Sequence, residues 1–188
     1  GTGPKAGGPN YVKRFTATRT THLPATGGAA AEVSAVQSAL DTMNATRRPR
    51  LSSELLPGPT GESNQLSVFG RGTVLCLGPT AQAAAEQARI ARQNGCAALE
   101  VAPDVANGID GTLSPEALKN LQGFDLVALW SASEDQTAAR RALAARTGRL
   151  IPLVTGDDLA ERCKLERHIC IDTTAAGGNA ALLASVEG

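Results

Sequence analysis

Val74-Leu75-Cys76-Leu77-Gly78-Pro79-Thr80 runs into the alanine-rich stretch Ala81 to Gln93, and then into Ala98-Leu99-Glu100-Val101. This stretch decides the fold. The apolar run that stops at Gly78 reads as a buried strand. Ala81 to Gln93 is built from strong helix formers, and such residues lose little side-chain freedom in a helix. Thr80 is the expected N-cap and Gly95 the expected stop. Ala98 to Val101 is a second buried strand. A strand, a helix and a strand of this kind form a crossover unit, which pairs its two strands in parallel.

Toward the C-terminus the alternation continues. Ser114-Pro115-Glu116 opens a short helix to Leu121, with proline at its first position. Asp125 to Trp130 is an almost wholly apolar strand. Ser133-Glu134-Asp135-Gln136 has the spacing of a capping box and opens a helix that Gly148 ends. Leu150 to Val154 is a strand whose Pro152 argues for an edge or an irregular position. Asp157 to Cys163 is one more short helix, and Ile169 to Thr173 the last strand. Near-continuous apolar strands between helices imply a parallel sheet of about four or five strands covered on both faces.

Toward the N-terminus the pattern loosens. Leu66 to Phe69 reads as a strand, and Gly70-Arg71-Gly72 as a tight reversal, so a β-hairpin with Val74 to Leu77 is expected. Leu55 to Asn64 is turn-dense and Arg47 to Ser53 a basic connector. Ala29 to Met43 carries Val33, Val36, Leu40 and Met43 on one helical face. Thr16 to Gly28 reads as a linker of Thr, Ala and Gly, and Gly1 to Pro9 as a loop. The fold class is therefore α/β: a Rossmann-like parallel sheet with a β-hairpin and extended N- and C-terminal arms.

The C-terminal arm, Ile169 to Gly188, begins as a strand in which Ile169 and Ile171 alternate with Cys170 and Asp172. Gly177-Gly178-Asn179 tolerates the positive φ of a turn. Leu182 and Leu183 follow among small residues. The arm suits docking along another surface.

Composition narrows the function. Among 188 residues, 42% are hydrophobic, 19% charged and only 3% aromatic, so no aromatic platform for bases or sugars is visible. Formal net charge is zero, but residues 1–50 hold seven Lys/Arg against two acids, and residues 51–188 hold eleven against sixteen. Beyond Arg47-Arg48-Pro49-Arg50 no compact basic cluster supports nucleic acid. Cys76, Cys96, Cys163 and Cys170 form no CxxC and have no histidine at ligand spacing, so no metal site is expected. Reduced thiols, with no signal peptide, fit a cytoplasmic protein. No apolar run reaches the roughly 18 residues of a membrane helix. The chain opens without Met inside a glycine-rich loop, so a longer polypeptide is expected.

No catalytic constellation emerges. A Walker A loop needs GxxxxGK before Ser/Thr, but Gly3 to Gly8 is followed by Pro9. The crossover Leu77 to Ala83 is where a dinucleotide would sit. It offers one glycine, and a proline where N–H groups should face phosphates. Glu100, near the end of the next strand, could hold a ribose hydroxyl. Gly78, Thr80 and Glu100 thus stand as an alternative, nucleotide-binding reading. His22 and His168 lack nucleophile partners, and Asp157-Asp158 reads as helix capping.

Three stretches resemble one family. Gly1 to Tyr11, with Arg14-Phe15, is similar to a loop near the end of the aldehyde dehydrogenase domain of proline utilization A. Leu56 to Asn64 with Arg71 to Leu77 is similar to the added C-terminal region of its longer members. Thr173-Thr174-Ala175-Ala176-Gly177-Gly178-Asn179-Ala180 resembles the motif that closes its chains. The resemblance implies a parent that oxidises proline with FAD and then the resulting aldehyde with NAD, passing the intermediate through an internal cavity. The family's catalytic Cys, its general base and its NAD site lie upstream of Gly1, so no catalytic or cofactor residue carries over. The implied fold is like that of the aldehyde dehydrogenase superfamily. The implied role is a non-catalytic lid that helps seal the cavity. Residues 1–23 would end the catalytic domain, 24–165 would be an inserted domain, and 166–188 a docking motif. Its docking residues would be Ile169, Ile171, Thr173, Ala175, Gly177, Gly178, Asn179, Leu182 and Leu183. The partner implied is the upstream aldehyde dehydrogenase domain, in the same or a neighbouring chain. A homo-oligomer, held by a purely structural arm, stays open. One departure is Thr18, where an acidic residue is expected; Glu166-Arg167-His168 keeps it.

Overall fold

The computed structural model describes residues 3–43 and 48–172. In chain order the elements are α1 (Val33–Met43), β1 (Arg50–Leu56), β2 (Glu62–Gly70), β3 (Thr73–Cys76), α2 (Ala81–Gln93), β4 (Ala97–Ala102), β5 (Ile109–Asp110), β6 (Leu126–Ala128), α3 (Ser133–Ala144), β7 (Leu153–Val154), α4 (Leu159–Arg162) and β8 (Lys164–Asp172). Single 3-10 turns occupy Val12–Phe15 and Pro115–Lys119.

Five strands form a sheet in the order β5-β4-β3-β6-β7, every neighbouring pair parallel. The chain starts in the middle, builds outward to one edge, then returns and builds to the other. That is the order of a doubly wound sheet. Alternate residues serve opposite faces. Leu75, Leu99, Val101 and Val127 pack with Val36 and Leu40 of α1, Leu118, and Ala139 and Leu143 of α3. Val74, Cys76, Ala98, Leu126 and Ala128 pack with Ala88 and Ala91 of α2 and Leu159 and Cys163 of α4. Both faces are thus covered, as the apolar strands predict. Each fully buried Leu or Val contributes about 1.5–3 kcal/mol of transfer free energy.

The decisive stretch folds as read. The Thr80 side chain accepts from the Ala83 N–H at 3.1 Å, and α2 ends at Asn94, with Gly95 at φ +73°. The strand expected from Leu150 is only Leu153–Val154 long: Pro152 lies in irregular backbone just before β7, which is an outer strand of the sheet.

Other expectations are corrected. β2 and β3 do not form a hairpin. β2 pairs antiparallel with β1 and with β8, whereas β3 sits in the parallel sheet. Gly70-Arg71-Gly72 carries the chain from one sheet to the other. A Cβ on Gly70 would lie 2.1 Å from the Gly95 carbonyl oxygen, so glycine here serves a close backbone crossing. The hairpin lies one step earlier, between β1 and β2 around the Pro57–Gly61 turn, and the supposed connector at Arg50 is strand. The capping box does not form. Ala132 is the N-cap of α3 and makes no side-chain bond, while the Gln136 amide turns away to the Ser131 carbonyl at 2.8 Å. α3 ends at Ala144, before Gly148, and α1 starts at Val33, which is 45% exposed. β5 was not anticipated. The last strand is longer than expected, and its Cys170 is an exposed thiol.

Candidate functional site

In an open parallel sheet, ligands bind beyond the carboxyl ends of the strands, where the strand order reverses. Here that crevice is crossed by the chain itself. The segment read as a linker runs over the strand ends in sheet order. Arg19 and Asp157, beyond β7, exchange bonds of 3.1 and 3.2 Å, and Thr20 bridges Gly156. The Thr21 N–H donates to the Thr155 carbonyl at 2.7 Å, and the Leu23 N–H to that of Trp130, beyond β6, at 2.8 Å. The N–H and hydroxyl of Thr26 both reach the carbonyl of Pro79, beyond β3, at 3.2 and 3.0 Å. Gly28 passes Pro103, beyond β4, so closely that a Cβ would lie 2.8 Å from its ring. Ala31 and Ala29 exchange bonds of 3.0 and 2.8 Å with Thr112, beyond β5.

The side chains beneath this strap hold it down. The Gln136 amide, 2% exposed, donates to the Thr21 carbonyl at 3.1 Å as well as to that of Ser131. The ring Nδ1 of His22 lies 3.2 Å from the same Ser131 carbonyl. What remains of the crevice is a cavity of about 80 Å³ between Ala25, Gly78, Leu129, Ser131 and Asp135. Ligand pockets run to about 300–1,000 Å³.

Gly78, Thr80 and Glu100 each pack or bond within the chain. A Cβ on Gly78 would lie 2.2 Å from the Ala84 nitrogen, so this glycine lets α2 pack close to β3. The Thr80 hydroxyl is taken by its cap. Glu100 is 4% exposed and faces α2, where Arg92 Nη2 holds Oε1 at 2.9 Å. The strap lies across this crevice, and Arg92 holds the Glu100 carboxylate. No group of His, Cys, Asp and Glu among the described residues is arranged to hold a metal ion.

A second feature is the three-stranded sheet, in the order β1-β2-β8. Residues opposite one another share a face. On one face, Glu166 of β8 receives the Lys5 N–H at 2.9 Å and the Asn10 amide at 2.7 Å, so the N-terminal loop is fastened there. On the other face Leu55, Gln65 and Ile169 lie in register, and Ile171 follows two residues on. Leu55, Ile169 and Ile171 are 73%, 56% and 58% exposed. Leu55 and the two isoleucines thus form an open apolar stripe. Thr173, Ala175, Gly177, Gly178, Asn179, Leu182 and Leu183 lie outside the described residues. Arg48 of the basic run pairs with Asp125 at 2.6 Å. No helix among the described residues is long and apolar enough to cross a membrane.

Sequence reading missed the strap because its side chains show no period. The signal present was the run of small residues Gly27-Gly28-Ala29-Ala30, which lets a backbone pass close over strand ends.

The curated relative Bifunctional protein PutA of Escherichia coli K12 is 30% identical over 97% of this chain. The chain belongs to the PutA family. PutA of Rhizobium meliloti is 31% identical over 98% of the chain. The chain spans only 17% and 18% of the lengths of these two PutA proteins. No protein-family model matches it. Among solved structures, a PutA with proline bound in remote sites is 22% identical, with a TM-score of 0.44 over 54% of this chain and 13% of that one. A Bradyrhizobium japonicum PutA variant gives the same values.

Proposed function

We propose that this chain is a non-catalytic lid and docking module of a bifunctional PutA enzyme that converts proline to glutamate. The module is a Rossmann-like fold of the aldehyde dehydrogenase superfamily type that binds no nucleotide. Residues 1–23 complete the catalytic domain's surface, 24–165 form the inserted domain, and 166–188 dock back onto that surface. FAD and NAD belong to the rest of the cytoplasmic parent, and the module helps keep the intermediate inside its cavity.

The observation that carries this reading is the strap. The one place where a doubly wound sheet takes a cofactor is filled by the chain's own residues 19–31, tied to successive strand ends. Two further features support the docking part. Glu166 ties the N-terminal loop to β8, so the two flanks of the inserted domain meet. β8 then leads toward residues 173–188 while presenting Ile169 and Ile171 to solvent.

The test is to end the full-length enzyme after Asp172. Proline oxidation should be unchanged, while coupled formation of glutamate falls and free intermediate accumulates. Unchanged coupled kinetics would remove the lid reading. A change of mass in light scattering without a change of rate would favour a structural dimerisation arm on the same apolar stripe. Saturable NAD binding by this module in calorimetry would restore the nucleotide reading.

A further inference from the structure

The sequence holds two Asn-Gly pairs, and the fold treats them differently. Asn94-Gly95 follows α2 and is clamped. The Asn94 side-chain amide donates to the Ile90 carbonyl at 2.8 Å, and the Gly95 N–H donates to the Arg92 carbonyl at 3.1 Å. Pro49 and Leu51 close over Gly95, and its own carbonyl lies against Gly70. Asn107-Gly108 stands in the loop between β4 and β5. Both residues are exposed. Among the described residues, neither the Asn107 amide nor the Gly108 N–H has a hydrogen-bond partner.

Packing explains the second glycine. A Cβ on Gly108 would lie 2.2 Å from the Glu100 carbonyl oxygen, so the loop can pass this close to β4 only without a side chain. That glycine also opens a route to its neighbour. An asparagine side-chain amide can be attacked by the backbone nitrogen of the next residue. A side chain on that residue obstructs the approach, and glycine has none. Hydrogen bonds on the amide and on the attacking N–H hold the two groups apart, as at Asn94. Asn107 has neither restraint.

We propose that Asn107 is a site of spontaneous deamidation, with water as the co-reactant. The Gly108 nitrogen attacks Asn107 Cγ. The Cγ–Nδ2 bond breaks, and Nδ2 leaves as ammonia with the proton of the Gly108 nitrogen. The product is a cyclic imide. Water then opens it at one of its carbonyl carbons. Opening at Cγ leaves aspartate. Opening at the main-chain carbonyl leaves isoaspartate, whose main chain runs through Cγ. Water is consumed, ammonia is released, and nothing is oxidised or reduced.

The consequence reaches the strap. Isoaspartate lengthens the main chain just before β5 and adds a carboxylate to a loop that already carries Asp104 and Asp110. Asp110 Oδ1 accepts the Asp104 N–H at 2.7 Å, and Asp104 sits in the left-handed region at φ +58°. β5 is held to β4 by the register of Ile109 with Val101 and Asp110 with Ala102. Thr112, just beyond it, ties down Ala29 and Ala31 of the strap at 2.8 and 3.0 Å. Modification of Asn107 therefore loosens the last anchor of the strap.

The experiment holds the full-length enzyme in warm, mildly alkaline buffer and maps its peptides over time. Cleavage after Glu100 places Asn94 and Asn107 on separate peptides. The Asn107 peptide should split into aspartate and isoaspartate isomers, each heavier by the difference between a hydroxyl and an amino group. It should do so several-fold faster than the Asn94 peptide changes. In the unfolded enzyme the two should react at similar rates, because the clamp on Asn94 is gone. In the converted fraction the amides of Ala31 and Thr112 should exchange faster, and Asn107→Ser aged in the same way should show no such change. If Asn107 in the folded enzyme keeps its amide as long as Asn94 does, the proposal is overturned. If exchange at Ala31 and Thr112 does not follow the isomers, the loosening of the strap is overturned. The mapping uses the unsubstituted protein, so it stands whatever the serine variant does.

Discussion

The backbone N–H of Lys5 donates to Oε2 of Glu166 at 2.9 Å, across 161 residues of sequence. With the Asn10 amide on the other oxygen at 2.7 Å, a single carboxylate holds the N-terminal loop on β8. Hydrogen bonds to a charged group contribute about 1.5–3 kcal/mol each when partly buried. Glu166→Ala should therefore free residues 3–16 while leaving the parallel sheet intact. Hydrogen exchange should quicken in that loop and not in β3 or β4. Glu166→Gln, which keeps one acceptor oxygen and replaces the other with an N–H donor, should fall between. Equal protection of the loop in Glu166→Ala would show that other contacts hold it.

Gly78→Ala tests whether this glycine serves packing. The added methyl would meet the backbone of Ala83 and Ala84 at 2.8 and 2.2 Å, and backbone cannot give way as a side-chain tip can. Overpacking of this kind costs about 1–3 kcal/mol or more. The midpoint of denaturation should drop by that amount, with α2 the first element to lose exchange protection. A neutral substitution would contradict the close packing of α2 on β3.

Gln136→Ala tests the strap. It removes the donor shared by the Thr21 and Ser131 carbonyls, each loss worth about 1 kcal/mol. Amides of Thr21 and Leu23 should exchange faster, since their own bonds to Thr155 and Trp130 depend on the strap lying flat. Protection unchanged at Thr21 would place the strap's stability elsewhere.

The cysteines predict a pH dependence with two signs. Cys96 has a lowered pKa, so its share of stability is present above the ordinary thiol pKa of about 8.5 and fades as pH falls below it. Cys76 and Cys163 are raised, so their share is present below about pH 8.5 and is lost as pH rises past it. Under reducing conditions, Cys96→Ser should make stability rise less between neutral pH and pH ~8.5. Cys76→Ala should soften the decline above it. Denaturant titrations across a pH series give both slopes, and identical slopes in parent and variants would refute the assignment.

Much of the parallel domain was legible. The bounds of α2 were read correctly because its cap, its alanine run and its glycine stop are all local signals. The expected hairpin failed because Gly70-Arg71-Gly72 looks the same as a reversal and as a crossing between sheets. What separates them is the carbonyl of Gly95 and a partner strand about a hundred residues on, neither of which a local window contains. The capping box failed for a related reason. The Gln136 amide had a better partner in the strap and in Ser131 than in its own helix start.

The sequence by itself determined the alternation of strand and helix, the two-sided burial of the central strands, the closure of α2, and family membership through its motifs. These rest on side-chain period and chain chemistry within a few residues. The tertiary structure alone decided that β8 joins β2, that Glu166 gathers the N-terminal loop, and that residues 19–31 lie across the carboxyl ends of the parallel strands. Such pairings close long loops. Their choice depends on which distant surface offers matching donors, acceptors and room, and no residue carries that information alone.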